Sequence, residues 1–143
     1  MAKQGGCICR NVRFILEGDP VVKALCHCTD CRKITGKQAL SPCSTYSTNV
    51  LYPDGQFKVT QGTPKQYSKI ADSGKRIVIY FCGDCGSSMW RETESSPGIK
   101  VVAVGTLDDF DALEQAKPVA ELFAPSRPSW IPAVEGAEQR QAM

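Results

Sequence analysis

Three cysteines within six residues constrain this chain more than any other feature. They form the motif Cys26-x-Cys28-x-x-Cys31 inside the run CHCTDCRK. This spacing is too tight for three separate core positions, but it suits three thiolates turned inward on one metal ion. Two further cysteine pairs flank the motif at long range. The sequence therefore predicts a small metalloprotein with two sites of different kinds.

A disulfide framework is the main alternative for a chain with eight cysteines in 143 residues. The opening, MAKQGGCICRNVRF, is polar and has no apolar segment of a secretory signal, and no apolar run approaches the roughly 18 residues of a membrane helix. We therefore expect a cytoplasmic protein, where clustered cysteine pairs indicate metal or redox sites. The net charge of +2 is spread along the chain without a basic run, so nothing indicates binding to nucleic acid.

Two cysteine pairs that lie far apart in the sequence predict a closed metal site. Cys7 and Cys9 stand near the start, and Cys82 and Cys85 follow well past the middle. Structural zinc takes four tetrahedral ligands, and such a site can contribute roughly 10–16 kcal/mol to the stability of a small module. The alternative is four buried free cysteines that act as small apolar residues. Their pairing in both halves of the chain favours structural zinc.

The remaining motif predicts a catalytic zinc site with Cys26, Cys28 and Cys31 as its ligands, because three protein ligands plus a vacancy are the catalytic pattern. Three thiolates make the ion a poor Lewis acid for water. They suit it to holding a substrate thiol as a thiolate, which attacks an aldehyde carbon or leaves from one. The alternative is a second structural site that Cys43 or His27 closes as the fourth ligand.

Several residues near these motifs are candidates for contacts with a thiol substrate. Arg32 and Lys33 directly follow the third cysteine, where they can bind a substrate carboxylate or lower the thiolate pKa values. A solvated helix face is the alternative for both. Trp90 is a further candidate, with Trp130 and Arg127 as other pocket residues, although plain packing is the alternative for these three side chains.

Short β-branched and apolar runs separated by Gly and Pro turns predict a mainly β fold. We expect seven or eight strands in one zinc-binding domain over residues 1–143, with a Pro-rich tail from about 124 to 143. A helical turn is predicted at 29–35, with its first N–H groups aimed at the thiolates. The run RIVIYF at 76–81 is the most apolar and is predicted to be the central strand.

Together these motifs resemble the glutathione-dependent formaldehyde-activating enzyme family, which shares a domain with centromere protein V. GGCICRNVRF at 5–14 is similar to the opening motif, CHCTDCRKITG at 26–36 to the three-cysteine motif, and FCGDCGSSMW at 81–90 to the closing knuckle. FKVTQGTPKQY at 57–67 and RPSWIP at 127–132 are also familiar, particularly from fungal-type members. The resemblance covers nearly the whole chain.

This resemblance implies an Mss4-like fold of small antiparallel sheets organised around zinc-binding knuckles. It implies two Zn²⁺ ions per chain, a structural ion on Cys7, Cys9, Cys82 and Cys85 and a catalytic ion on the three-cysteine motif. The catalytic ion would act on glutathione and formaldehyde to form S-hydroxymethylglutathione, a carbon–sulfur lyase type of reaction. A non-enzymatic zinc scaffold is the alternative function, but the chain lacks the long arm expected of a protein-binding relative.

Two departures from the family pattern lie close to the predicted sites. Arg10 stands where the family usually has Gly after the second cysteine, so we expect a slightly remodelled first knuckle. Lys37–Cys43, with the sequence KQALSPC, resembles an insertion beside the catalytic site. This segment either covers the pocket, supplies Cys43 as a fourth ligand, or loops into solvent.

Overall fold

The computed structural model describes residues 2–36 and 45–143. The predicted insertion at 37–43, with Cys43, lies outside the described residues. Within them the strands are β1 Lys3–Gly6, β2 Arg13–Leu16, β3 Val22–Cys26, β4 Ser47–Pro53, β5 Phe57–Gln61, β6 Lys65–Ile70, β7 Arg76–Phe81, β8 Ser88–Thr93, β9 Ile99–Ala103, β10 Ala120–Leu122 and β11 Glu138–Gln139. The α-helices are α1 Thr29–Thr35 and α2 Ala112–Gln115, and 3₁₀ turns cover Asp54–Gln56, Val104–Thr106 and Ala124–Ser126.

The strands form a three-stranded sheet and an eight-stranded sheet. The small sheet has the order β1-β2-β5 and is antiparallel. The large sheet has the order β11-β10-β3-β4-β9-β8-β7-β6, and it is antiparallel except that β10 runs parallel to both of its neighbours. The prediction of a mainly β, Mss4-like fold built on antiparallel pairing is confirmed.

The main core lies where the small sheet packs on one face of the large sheet. Alternation along the strands turns Tyr52, Trp90 and Val102 toward this side, where they pack with Phe14 and Leu16 of β2. The Phe14 and Trp90 ring centroids lie 5.8 Å apart in an edge-on arrangement. Each fully buried side chain of this size stabilises the fold by about 1.5–3 kcal/mol. The opposite face of the same strands is left free to form a separate cavity.

The prediction that the run at 76–81 forms the central strand is wrong. β7 is the second strand from one edge of the large sheet, whereas β4 and β9 occupy its middle. Ile77 and Ile79 are buried on one side of β7, and Tyr80 stacks on Trp90 at 5.0 Å on the other. The apolar character of the run therefore reflects the covering of both faces rather than the lateral position of the strand.

Two short strands escaped the sequence prediction. β1 contains two glycines and no β-branched residue, so its local propensity for strand is weak. β11 lies in the predicted Pro-rich tail and pairs with β10 through Ala120 and Glu138. The tail is therefore joined to the edge of the large sheet. In the described ranges, neither helix has the length and apolar character needed to cross a membrane.

Candidate functional site

Four cysteines from two distant hairpins meet beside the main core. Cys7 and Cys9 follow β1, and Cys82 and Cys85 connect β7 to β8. Their Sγ atoms all lie within 4.8 Å of one another, with 3.5 Å between Cys7 and Cys9 and 3.7 Å between Cys9 and Cys82. A tetrahedral ion with Zn–S bonds of about 2.3 Å requires S···S distances of about 3.8 Å. The four thiols therefore fit one zinc ion.

Hydrogen bonds within this cluster lower the pKa of Cys7 and Cys85 but not that of Cys9. The Val12 N–H donates to Cys7 Sγ at 3.2 Å. Burial raises the pKa of the Cys85 thiol, but hydrogen bonds from Ser87 and from the backbone of Cys9 outweigh it and lower the pKa to about 6. The Asn11 backbone lowers the pKa of Cys9, but burial and hydrogen bonds with the other three cysteines outweigh it and raise that pKa to about 12. Thiolates are the metal-binding form, so a bound cation would have to displace the proton of Cys9.

Arg10 retains a backbone conformation that suits glycine. Its φ angle is 65°, within the left-handed region that non-glycine residues rarely adopt. Its N–H still donates to the Cys7 carbonyl at 3.0 Å, which closes the turn between the two ligands. The first knuckle thus keeps a tight turn with Arg10 in it, at a strain of about 1–3 kcal/mol.

The second cluster is assembled where β3 passes into α1. Cys26 ends the strand, Cys28 is the N-cap of the helix, and Cys31 lies in its first turn. The three Sγ atoms lie within 4.8 Å of one another, and the Cys31 N–H donates to Cys28 Sγ at 3.3 Å. The predicted helix at 29–35 is confirmed, together with a helical N–H aimed at sulfur. Three convergent sulfur donors fit a soft cation such as zinc.

Arg91 supplies a positive charge to this cluster. Its Nη2 donates to Cys31 Sγ at 3.1 Å and to Ser47 Oγ at 3.3 Å. Hydrogen bonds from Cys26 and Cys28, assisted by the Arg91 charge, overcome burial and lower the pKa of Cys31 to about 2. The sequence analysis missed Arg91, although it directly follows the closing knuckle motif.

The three cysteines open on a cavity of about 390 Å³. It lies against the face of the large sheet opposite to the main core, and α1 forms part of its wall. Arg91 lines it as well. A volume of this size is within the range of about 300–1,000 Å³ that is usual for small-molecule sites.

The residues predicted to contact a substrate lie elsewhere. Trp90 is only 5% exposed and belongs to the main core, because it faces the opposite side of β8 from Arg91. Arg32 and Lys33 are exposed, and neither is among the described residues that line the cavity. Trp130 is 70% exposed, and Arg127 pairs with Glu121. The geometry therefore does not support Trp90 as a substrate contact.

Glu121 is a fully buried carboxylate that anchors the loop bearing the cysteines. Its Oε1 lies 3.0 Å from Nε2 of His27. In the sequence His27 stands between Cys26 and Cys28. Oε2 of Glu121 accepts from Arg127 Nη1 and the Val134 N–H at 3.0 Å, and from Gln139 Nε2 at 2.5 Å. Burial raises the pKa of Glu121, but these donors outweigh it and hold the pKa below its usual value. His27 thus contacts Glu121 and is not part of the three-thiol cluster.

Comparison with known proteins agrees with the motifs. The family model for the glutathione-dependent formaldehyde-activating enzyme matches residues 2–126. The chain belongs to this family. The match includes both cysteine clusters, Arg91 and Glu121. It ends before three residues that contact Glu121, namely Arg127, Val134 and Gln139.

A similar fold occurs among solved structures. The crystal structure of a Rhodobacter sphaeroides protein, a Northeast Structural Genomics target, superposes with a TM-score of 0.59 at 18% identity. The match covers 78% of this chain and 94% of that chain. At this identity the likeness concerns the fold. No curated protein sequence matches the chain.

Replacement of Arg91 by Gln is expected to weaken the binding of a thiol at the three-cysteine site. Arg91 bonds to Cys31 and Ser47, so it acts on an incoming thiolate through its positive charge. The loss of a unit charge a few ångströms from an anionic ligand costs about 1–4 kcal/mol, so the affinity should fall about 10-fold or more. Calorimetric titration of the zinc-loaded protein with a thiol measures this change. Arg76→Gln on β7 is the matched control, because Arg76 is exposed and only loosely paired with Glu94 at 3.9 Å. Equal affinities in the two variants would contradict the role of Arg91.

Proposed function

We propose that this chain is a zinc-dependent enzyme of the carbon–sulfur lyase type that forms or cleaves a thiol–aldehyde adduct. Glutathione and formaldehyde, the pair in the description of the family, give S-hydroxymethylglutathione. The reaction joins the thiol sulfur to the aldehyde carbon and moves the thiol proton to the former carbonyl oxygen, so it consumes no oxidant or reductant. The main support for this proposal is that three convergent thiols line a cavity large enough for a small molecule.

Each cysteine cluster has a separate task in this proposal. Cys7, Cys9, Cys82 and Cys85 would hold a structural zinc, and the three-cysteine cluster would hold a second ion. When bound there, zinc supplies a position that keeps the substrate sulfur as a thiolate. This chemistry requires reduced thiols, which suits a cytoplasmic location.

Residues around the second cluster prepare it for an anionic sulfur. Arg91 donates to Cys31 Sγ and so offsets the negative charge that accumulates when a further thiolate joins three others. Cys28 is held in place as the helix cap by the Cys31 N–H. His27 lies between Cys26 and Cys28, and its contact with buried Glu121 fixes the loop from the far side of the sheet. A site held in this way binds its ligand with little loss of side-chain freedom.

Zinc content and adduct exchange test the proposal together. Wild-type protein is expected to hold two zinc ions and to accelerate the exchange between free and thiol-bound formaldehyde, followed by exchange NMR with glutathione. Cys28→Ser should lose one zinc and the acceleration. Glu138→Gln is the control, because Glu138 is exposed and pairs with Arg140.

Cys43→Ser distinguishes an open site from a closed one. Retention of both zinc ions and of exchange activity in this variant supports three protein ligands with a vacancy. Loss of one zinc would make Cys43 the fourth ligand and would favour the non-enzymatic scaffold. Full exchange activity in Cys28→Ser would refute the proposed catalytic site.

A further inference from the structure

Ser47 begins β4 opposite the first cysteine of the three-cysteine cluster. In the pairing of β3 with β4, Ser47 lies across from Cys26, and Asn49 lies across from Ala24. Residues two apart on a strand share a face, so the side chains of Ser47 and Asn49 lie on the same side of the sheet. Their exposed fractions are only 3% and 1%, and polar side chains that are this deeply buried form hydrogen bonds. Two polar side chains are thus enclosed next to the cysteines.

The Asn49 amide determines the orientation of the Ser47 hydroxyl. Asn49 Nδ2 donates to the Ser47 carbonyl at 3.1 Å and to Ser47 Oγ at 2.8 Å. Because a carbonyl oxygen only accepts, the nitrogen of the amide must be the atom that faces Ser47. Arg91 Nη2 donates to the same Oγ at 3.3 Å. Both lone pairs of this oxygen are therefore occupied, and its hydrogen is the part of the hydroxyl that remains to be donated.

The Cys31 sulfur receives this hydrogen. After the other two cysteines of the cluster, which contribute most, and against the effect of burial, the Arg91 charge and a hydrogen bond from Ser47 lower the pKa of Cys31. Arg91 Nη2 donates to the same Sγ at 3.1 Å. One sulfur of the cluster is thus bonded to a hydroxyl from β4 and to a guanidinium from β8, and the guanidinium also contacts the hydroxyl.

Donors on a thiolate reduce its reactivity toward carbon. The proposed reaction brings an aldehyde close to several sulfur atoms, and every thiolate is a nucleophile. Attack by the substrate sulfur gives the product, whereas attack by a cysteine of the cluster would join the aldehyde carbon to the protein and consume the site. The nucleophilicity of a thiolate falls as its pKa falls, and charge-assisted hydrogen bonds are the stronger kind. Donors on Cys31 therefore protect it from the aldehyde.

We infer that Ser47 is a positioning residue of the three-cysteine site: its hydroxyl, oriented by Asn49, lowers the nucleophilicity of the Cys31 sulfur, so that an aldehyde adds to the substrate thiolate and not to Cys31. This inference rests on the proposed function, because it assigns the control of the same site to residues outside the cysteine motifs. Ser47 acts through Cys31 and not by contact with the substrate. Residues that bond to metal ligands in this way commonly change metal affinity or activity about 10- to 100-fold when they are replaced.

The alkylation rate of each cysteine tests the inference. Zinc-loaded protein is treated with iodoacetamide, whose carbon bonds to sulfur while iodide leaves, and tandem mass spectrometry assigns the stable product to individual cysteines over time. Loss of a hydrogen bond to a charged group changes its equilibrium about 10- to 100-fold, and about half of this effect on a logarithmic scale appears in the nucleophilicity of a thiolate. Alkylation of Cys31 in Ser47→Ala is therefore expected to be about 3- to 10-fold faster than in the wild type.

Two further variants complete the test. Asn49→Ala keeps the Ser47 hydroxyl but removes the amide that orients it, so a smaller rise in the Cys31 rate is expected. The matched control is Ser87→Ala, because Ser87 is also a buried serine whose Oγ lies 3.3 Å from a cysteine sulfur, that of Cys85 in the other cluster. This control should leave the Cys31 rate unchanged.

The outcomes separate this inference from the proposed function. Wild-type rates at Cys31 in both Ser47→Ala and Asn49→Ala would overturn the inference and leave the proposed function standing. An equal rise in Ser47→Ala and Ser87→Ala would also overturn it, because the cause would then be a general loosening of the protein. Failure of the proposed function shows separately, as a wild-type protein that does not accelerate the exchange of formaldehyde.

Discussion

Cys82→Ser is expected to abolish cooperative unfolding of this protein, whereas Cys31→Ser should preserve it. Both side chains are 1% exposed, so the substitution removes the same atoms from equally buried positions. Cys82 belongs to the four-thiol cluster that joins two distant hairpins. Structural zinc contributes roughly 10–16 kcal/mol in small modules, which is comparable with the whole stability of about 5–15 kcal/mol of a typical domain.

Urea unfolding followed by circular dichroism, together with zinc analysis, measures this difference. Each variant should lose one zinc ion, but only Cys82→Ser should lose the sigmoidal transition. A transition at the wild-type urea concentration in Cys82→Ser would show that the four-thiol cluster does not stabilise the fold. Loss of cooperativity in both variants would remove the distinction between a structural and an open site.

Glu121→Ala is expected to lower the free energy of unfolding by about 3–5 kcal/mol, the usual cost of breaking a buried ion pair. The carboxylate has no exposed surface. Its loss leaves His27 Nε2 without its partner, and Arg127 keeps Gln139 Oε1 as an acceptor but loses its ion pair. The Val134 N–H loses its acceptor as well. The chain from 134 to 140 should therefore detach from β10, and its amides should lose protection from hydrogen exchange before those of the central strands.

Glu138→Ala is the matched control for this prediction. Glu138 is also a glutamate in an ion pair with an arginine, but both side chains are largely exposed, and such pairs contribute about 0–1 kcal/mol. Urea unfolding of both zinc-loaded variants gives the comparison. If Glu121→Ala destabilises the protein no more than Glu138→Ala, the hydrogen bonds of Glu121 do not hold the C-terminal tail in place. The same result would contradict the idea that Glu121 anchors the cysteine loop through His27.

The sequence was sufficient for the features that depend on local spacing and alternation. Paired cysteines separated by one or two residues indicated both clusters, and β-branched runs between Gly and Pro turns indicated a mainly β fold. The helix at 29–35 was predicted with its correct bounds, because the tight cysteine spacing and Gly36 limit where it can begin and end. Such features involve neighbours in the chain and need no knowledge of distant contacts.

Other features were decided by tertiary structure, because they depend on which face of a strand meets which partner. Trp90 and Arg91 are adjacent in the sequence, yet alternation sends the first into the core and the second to the cysteine cavity. The residue order alone does not indicate which face of β8 lines the three-cysteine cavity. The partners of Glu121 likewise lie up to 94 residues away. The sequence alone indicated two cysteine clusters that could hold metal ions, whereas the packing of the sheets determined which charges and which apolar side chains surround them.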